Sequence, residues 1–170
     1  MITGFPGIGK TTLVKRVSGE LREFHPVGFY TSEIREGGIR KGFELVSLDG
    51  RRGLLSHVRI KTPYRVGRYG VDVIAFEGFL GTLPFLDPST SLVVIDEIGK
   101  MECFSPRFTW LVRELLDSGK VLIATVALKG GGLIEEVKKR KDVLTFLMTE
   151  ENRDSLVPEI VDTIRAMHNE

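Results

Sequence analysis

Three residues into the chain, Gly4-Phe5-Pro6-Gly7-Ile8-Gly9-Lys10-Thr11 fills every position of the pattern G-x-x-x-x-G-K-[ST], and Thr12 follows. No other stretch constrains the fold as tightly. Glycines at these spacings let the backbone curl with its N–H groups pointing inward, a concavity suited to phosphate oxygens. The helix that must follow aims its positive N-terminus at the same anion. Lys10 adds a point charge for the β- and γ-phosphates, and Thr11 a hydroxyl that can bind Mg²⁺. Such a loop works only between a strand and a helix. Met1-Ile2-Thr3 leaves a very short strand before it, and Leu13, Val14, Val17, Leu21 and Phe24 recur at helical spacing after it.

The rest of the chain predicts a mostly parallel sheet flanked by helices. Val71–Phe76, Leu92–Ile95, Val121–Val126 and Val143–Leu147 are short, β-branched apolar runs that read as buried strands. Phe108, Leu111, Val112, Leu115 and Leu116 mark a helix with Ser105 as N-cap, Pro106 at its first position and Gly119 beyond its end. Leu156, Ile160, Val161, Ile164 and Met167 mark a last helix, capped at Ser155 with Pro158 in the first turn. Val27–Arg35, Gly42–Leu48 and Gly53–His57, joined at Glu36-Gly37-Gly38 and Asp49-Gly50, read as an antiparallel meander. That block, about residues 27–57, is too small for a domain and is expected to extend the main sheet. Thr82–Ser91 reads as a loop or a short broken helix. At 170 residues the whole chain, 1–170, is expected to be one domain.

Leu92-Val93-Val94-Ile95-Asp96-Glu97 supplies the second half of a nucleotide site. A buried parallel strand delivers Asp96 to the edge that carries the phosphate loop, where it can serve Mg²⁺ alongside Thr11. Glu97 is then the candidate to orient or deprotonate an attacking water. Asp96-Glu97-Ile98-Gly99 also satisfies D-x-x-G, but no Asn-Lys-x-Asp follows to read guanine. Lys100 is placed to reach a phosphate or to pair with Glu97. Asn152 and Arg153, after the run that ends near Met148, are candidates for contact with base or ribose. The nucleotide-binding set is therefore Gly4 through Thr12 with Asp96, Glu97, Gly99, Lys100, Asn152 and Arg153. Lys10 and Glu97 are its catalytic members. Should Glu97 not be the base, the carboxylates next in line are Glu33, Glu77 and Glu102.

With these residues in place the chain resembles the THEP1 family of P-loop nucleoside-triphosphatases, essentially end to end. The resemblance is carried by the phosphate loop, by Gly28-Phe29-Tyr30-Thr31-Ser32-Glu33-Ile34-Arg35 and Arg40-Lys41-Gly42-Phe43, by Gly67-Arg68-Tyr69-Gly70-Val71, by Asp96-Glu97-Ile98-Gly99-Lys100-Met101-Glu102, and by Thr149-Glu150-Glu151-Asn152-Arg153-Asp154. It implies an α/β fold with a P-loop NTPase, RecA-like core. It also implies slow hydrolysis of several triphosphates, ATP, GTP, CTP and UTP, to diphosphate and phosphate.

Two other functions use the same loop. A small-molecule or nucleoside kinase needs an acceptor pocket and an arginine-rich lid, for which Arg65 and Arg68 are candidates; a glutamate beside Asp96 favours water instead. A nucleotide-switched module for RNA would use the basic stretch Arg35–Arg68, in which Arg35, Arg40, Lys41, Arg51, Arg52, Arg59, Lys61, Arg65 and Arg68 face only Glu36, Glu44 and Asp49. The blander reading, a solvated meander, is preferred, because 24 Lys and Arg against 23 Asp and Glu leave a net charge of only +1. The single cysteine, Cys103, excludes a disulfide framework and reads as a small buried hydrophobe. His25, His57 and His168 lack metal-ligand spacing. No leader sequence and no membrane-length apolar run is visible, which makes the cytoplasm the expected location.

Overall fold

The computed structural model describes residues 1–168. Its strands are β1 (Ile2–Thr3), β2 (Val27–Glu36), β3 (Ile39–Ser47), β4 (Arg52–His57), β5 (Arg65–Val66), β6 (Tyr69–Val71), β7 (Leu92–Ile98), β8 (Val121–Val126) and β9 (Phe146–Leu147). Its helices are α1 (Lys10–Glu20), α2 (Val73–Leu80), α3 (Pro106–Asp117), α4 (Leu133–Lys139) and α5 (Leu156–His168). One sheet contains all nine strands in the order β5-β6-β4-β3-β2-β7-β8-β1-β9. From β2 to β9 the neighbours are parallel, and from β2 outward to β5 they are antiparallel.

Alternation along the parallel strands divides the core between two faces. Val93 and Ile95 of β7 join Phe29, Phe76, Phe79 and Phe108 on the side covered by α2, α3 and α4. Leu92 and Val94 turn the other way, onto Leu13, Val14 and Val17 of α1 and Ile160, Val161 and Ile164 of α5. α3 shows why such a helix forms. Ser105 Oγ accepts a hydrogen bond from the Phe108 amide at 3.0 Å, and Pro106 occupies the first turn. Phe108, Leu111, Val112 and Leu115 line its buried face, each contributing roughly 1.5–3 kcal/mol by leaving water.

The structure corrects the sequence reading in five places. Val71–Phe76 is not a strand: β6 ends at Val71 and α2 begins at Val73. The side chain of Asp72 caps α2 by accepting from the Ala75 amide at 2.9 Å. Phe76, Phe79 and Leu80, at helical spacing, go into the core while Ile74 stays exposed. The strand expected over Val143–Leu147 shrinks to Phe146–Leu147, because only these residues ladder with β1. α1 stops at Glu20, so Leu21 follows it and Phe24 closes a separate 3-10 turn. Ser155 does not cap α5; its hydroxyl donates backward to the Asn152 carbonyl at 2.9 Å. Finally, the antiparallel part runs past His57, because β6 pairs with β4 and β5 with β6, so it makes up about half of the sheet rather than a small appendage.

Candidate active site

The phosphate loop connects β1 to α1 at the C-terminal edge of the parallel strands. Gly7 and Gly9 hold φ of 81° and 108°, left-handed conformations that a side chain would resist. Gly9 is also the N-cap of α1 and offers no side chain to bond its first amides. The N–H groups at the start of α1 have no acceptor within the helix and are left for an anion. Lys10 Nζ folds back over the loop, donating to the Gly4 carbonyl at 2.9 Å and the Phe5 carbonyl at 3.2 Å. Phe5 itself is exposed.

β8 lies between the loop strand β1 and the carboxylate strand β7, so a residue of β8 can touch both halves of the site. Thr125 does this. It is fully buried, and its hydroxyl donates to Asp96 Oδ1 at 2.5 Å. Thr11 donates to Asp96 Oδ2 at 2.6 Å, joining the loop to β7. The carboxylates lie inside β7 and not past its end, since the strand continues to Ile98. Ile95 pairs with Ala124 and Ile98 with Val126, so Asp96 and Glu97 together oppose the single residue Thr125. This bulge keeps Ile95 and Ile98 on one buried face and frees both acids for the edge.

Three carboxylates collect here. Asp96 is 2% exposed, and its burial raises its pKa against the pull of Thr11, Thr125, the Thr31 backbone and Lys10. Burial and the Asp96 charge raise Glu97, with Lys10 opposing. Glu102 is 4% exposed; burial and then Glu97 push it well above the usual carboxylate range, against the backbone amides of Glu102 and Gly99. A side chain at Gly99 would place its Cβ 2.8 Å from Glu97 Oε1 and 2.9 Å from Glu102 Oε2. Gly99 is thus the space in which the two glutamates approach each other.

Among the described residues no group of three His, Cys, Asp or Glu could cage a metal. Mg²⁺ needs no such cage, because it keeps waters and phosphate oxygens and takes one or two protein ligands. The bonded pair Thr11–Asp96 has that composition and fits the ion.

The remaining candidates lie nearby with other work to do. Asn152 spends its amide locally, donating to the Leu147 carbonyl at 2.8 Å and accepting from the Thr149 amide at 2.8 Å, so it shapes the turn that carries the exposed Arg153. Lys100 is exposed and, among the described residues, makes no ion pair with Glu97. Glu33 is held by Arg35 and Arg40, and Glu77 accepts from Ser105 Oγ at 2.7 Å to brace α2 on α3. Five of the nine bases in the basic stretch are paired: besides Arg35 and Arg40 on Glu33, Glu36 meets Arg59, Glu44 meets Arg52 and Asp49 meets Arg51. Arg65 and Arg68 bond backbone carbonyls of their own loop and of Arg40. His168 stacks on Phe24 with ring centroids 4.2 Å apart. Half-buried Cys103 has its thiol pushed up to about 12 by burial and Glu102. Sequence reasoning missed Thr125. A threonine inside a β-branched strand carries no signal until its neighbours are known.

The family model described as NTPase matches residues 1–161. The nucleoside-triphosphatase THEP1 of Thermotoga maritima is 41% identical over 166 residues, covering 97% of this chain and 94% of that one. The human cancer-related nucleoside-triphosphatase is 43% identical over 183 residues, covering 97% and 95%. The crystal structure of THEP1 from Aquifex aeolicus superposes with a TM-score of 0.82 at 32% identity, covering 95% of this chain and 96% of that one. The solution structure of the human protein gives 0.82 at 40% identity, covering 97% and 96%. Among the described residues no helix is long and apolar enough to cross a membrane.

Proposed function

Because the chain belongs to the NTPase family whose model matches residues 1–161, we propose that it is a Mg²⁺-dependent nucleoside-triphosphatase, hydrolysing ATP, GTP, CTP and UTP to diphosphate and phosphate. The observation that carries this reading is the junction of loop and β7: buried Asp96 bonded to Thr11 at 2.6 Å, with Glu97 beside it and Lys10 opposing the acids' charge. The loop amides and Lys10 bind the β- and γ-phosphates and stabilise the charge that spreads over the transferred group. Thr11 and Asp96 would hold Mg²⁺, whose chemistry is to neutralise β- and γ-oxygen charge. Glu97 orients a water and takes its proton while the water oxygen bonds the γ-phosphorus. The β–γ bridging bond breaks and its electron pair leaves on the diphosphate. The raised pKa of Glu97 makes it a stronger base than an exposed glutamate.

Broad base tolerance is supported by the lack of an Asn-Lys-x-Asp reader and by a loop that addresses phosphate alone. Turnover is expected to be slow. The cavity beside Lys10 and Glu97 is lined by lysines but, among the described residues, by no arginine, and an arginine on the γ-phosphate is worth ~10³–10⁵ in rate. Phosphate release from the four triphosphates, with and without Mg²⁺, tests the reading. Release from all four that needs the metal supports it, release from one alone removes the base tolerance, and release from none removes the function.

A further inference from the structure

A cavity of about 490 Å³ adjoins the phosphate loop, within the ~300–1,000 Å³ range of small-molecule sites. It reaches well beyond the phosphate loop. It is walled by Phe5, Pro6 and Lys10 of the loop and by Glu97, but Thr11, Thr12, Asn152 and Arg153 take no part in it. It therefore lies on the β7 side of the loop, while Asn152 and Arg153 stand beside β9 on the opposite flank. Its far wall comes from the antiparallel extension: Phe43 of β3, Leu55 of β4 and Val66 of β5, with Met101 and Leu128 closing the sides. Hydrolysis of a triphosphate uses none of these apolar residues.

Glu102 also lines this space. It is 4% exposed, and the donors around its carboxyl are the backbone amides of Gly99 and Glu102, with no side chain among the described residues bonded to it. Glu97 and Glu102 meet across Gly99, so the cavity presents an apolar body and two converging carboxyl groups, with Lys10, Lys100 and Lys129 balancing their charge. A buried polar group with spare acceptors is satisfied by a donor from the occupant.

We propose that this cavity is a second-ligand site, for an uncharged small molecule with an apolar body and a hydroxyl donor directed at Glu97 and Glu102. The proposal rests on the nucleotide reading of the loop only for its second consequence: a donor held at Glu97 displaces the attacking water, so the occupant lowers phosphate release.

The test uses the full chain labelled with ¹³C at the methionine methyls, because Met101 sits apart from the other three. Met101 lines this cavity, Met148 approaches Gly9 with its Cε 3.6 Å from that residue's Cβ position, and Met1 and Met167 line a different cavity of about 200 Å³. The probes are tryptophol and benzyl alcohol. Fragments of this size are expected to bind with Kd of about 1–10 mM. The expected result is a saturable shift of the Met101 methyl by both alcohols. It should persist in the presence of ADP, which itself moves Met148, and be lost in Val66→Trp, whose indole fills the cavity from β5. A retained Met148 response to ADP in Val66→Trp shows that the variant is folded. A Met101 signal silent to every probe overturns the proposal, as does a shift abolished by ADP, which would make the space part of the nucleotide site. A shift confined to Met1 and Met167 also overturns it. Phosphate release unchanged at saturating probe removes the placement beside Glu97. Failure of the hydrolase reading would instead appear as no phosphate release from the unliganded enzyme.

Discussion

Glu102→Gln should make the protein more stable, and only above a definite pH. The wild-type carboxyl is 4% exposed, pushed well above the usual carboxylate range by burial and by Glu97, and bonded only to backbone amides. In the unfolded chain the same group ionises near 4.5. Between these two values the folded state holds one more proton than the unfolded state. Stability then falls with rising pH by about 1.4 kcal/mol per pH unit until the folded pKa is passed. Glutamine has the protonated acid's shape and cannot ionise, so the variant lacks this slope. Each pH unit between the two values therefore adds about 1.4 kcal/mol to the variant's advantage. At about 3 °C per kcal/mol for a chain of this size, that is roughly 4 °C in Tm per pH unit. Near pH 4.5 the two proteins should unfold together. Urea and thermal unfolding of both at intervals from pH 4.5 to 8.5 measure the divergence. Parallel stability curves, or a variant less stable at every pH, would refute the claim that Glu102 is buried as the neutral acid.

Thr125→Val keeps the shape of a fully buried side chain but removes the hydroxyl that donates to Asp96 Oδ1 at 2.5 Å. A bond to a charged group contributes ~1.5–3 kcal/mol, so calorimetric affinity for Mg-ATP should fall roughly 10- to 100-fold; unchanged affinity would mean that Asp96 does not need this partner. Lys10→Ala should weaken ATP binding and lower kcat together, because the lysine faces charge on the bound triphosphate and charge that grows during transfer. Hydrolysis unimpaired in that variant would place the active site away from the loop.

The parts that were legible in the sequence are those whose chemistry is local. The loop announces itself because each residue from Gly4 to Thr11 answers a separate local need, and α3 because Ser105, Pro106 and the apolar spacing agree. The meander was readable from its turn residues. Val71–Phe76 was not, since six mostly apolar residues fit either period, and the choice of helix is made by Asp72 and by Phe79 and Leu80 beyond the run. The pairing of β6 with β4 is likewise a tertiary decision, which hid the true extent of the antiparallel half. In the site, Asp96 and Glu97 were found as a strand end, but the bulge opposite Thr125 depends on which strand lies beside β7. Glu102 stood in the sequence only as one of three reserve carboxylates, with nothing to mark it as buried. Its burial comes from a turn that folds it under Gly99, and no composition or periodicity reveals that.

The central claim is that Glu97 activates water while Asp96 serves the metal. It is tested most directly by single-turnover phosphate release from Mg-ATP by Glu97→Gln, set beside the same variant's Kd for ATP. The substitution keeps size and hydrogen bonding and removes the basic carboxylate. Release should fall by ~10²–10⁴, the usual contribution of a general base, while Kd changes by less than about threefold, the pattern of an interaction made in the transition state. Full release in Glu97→Gln, or a large loss of affinity with the rate of transfer intact, would contradict the account.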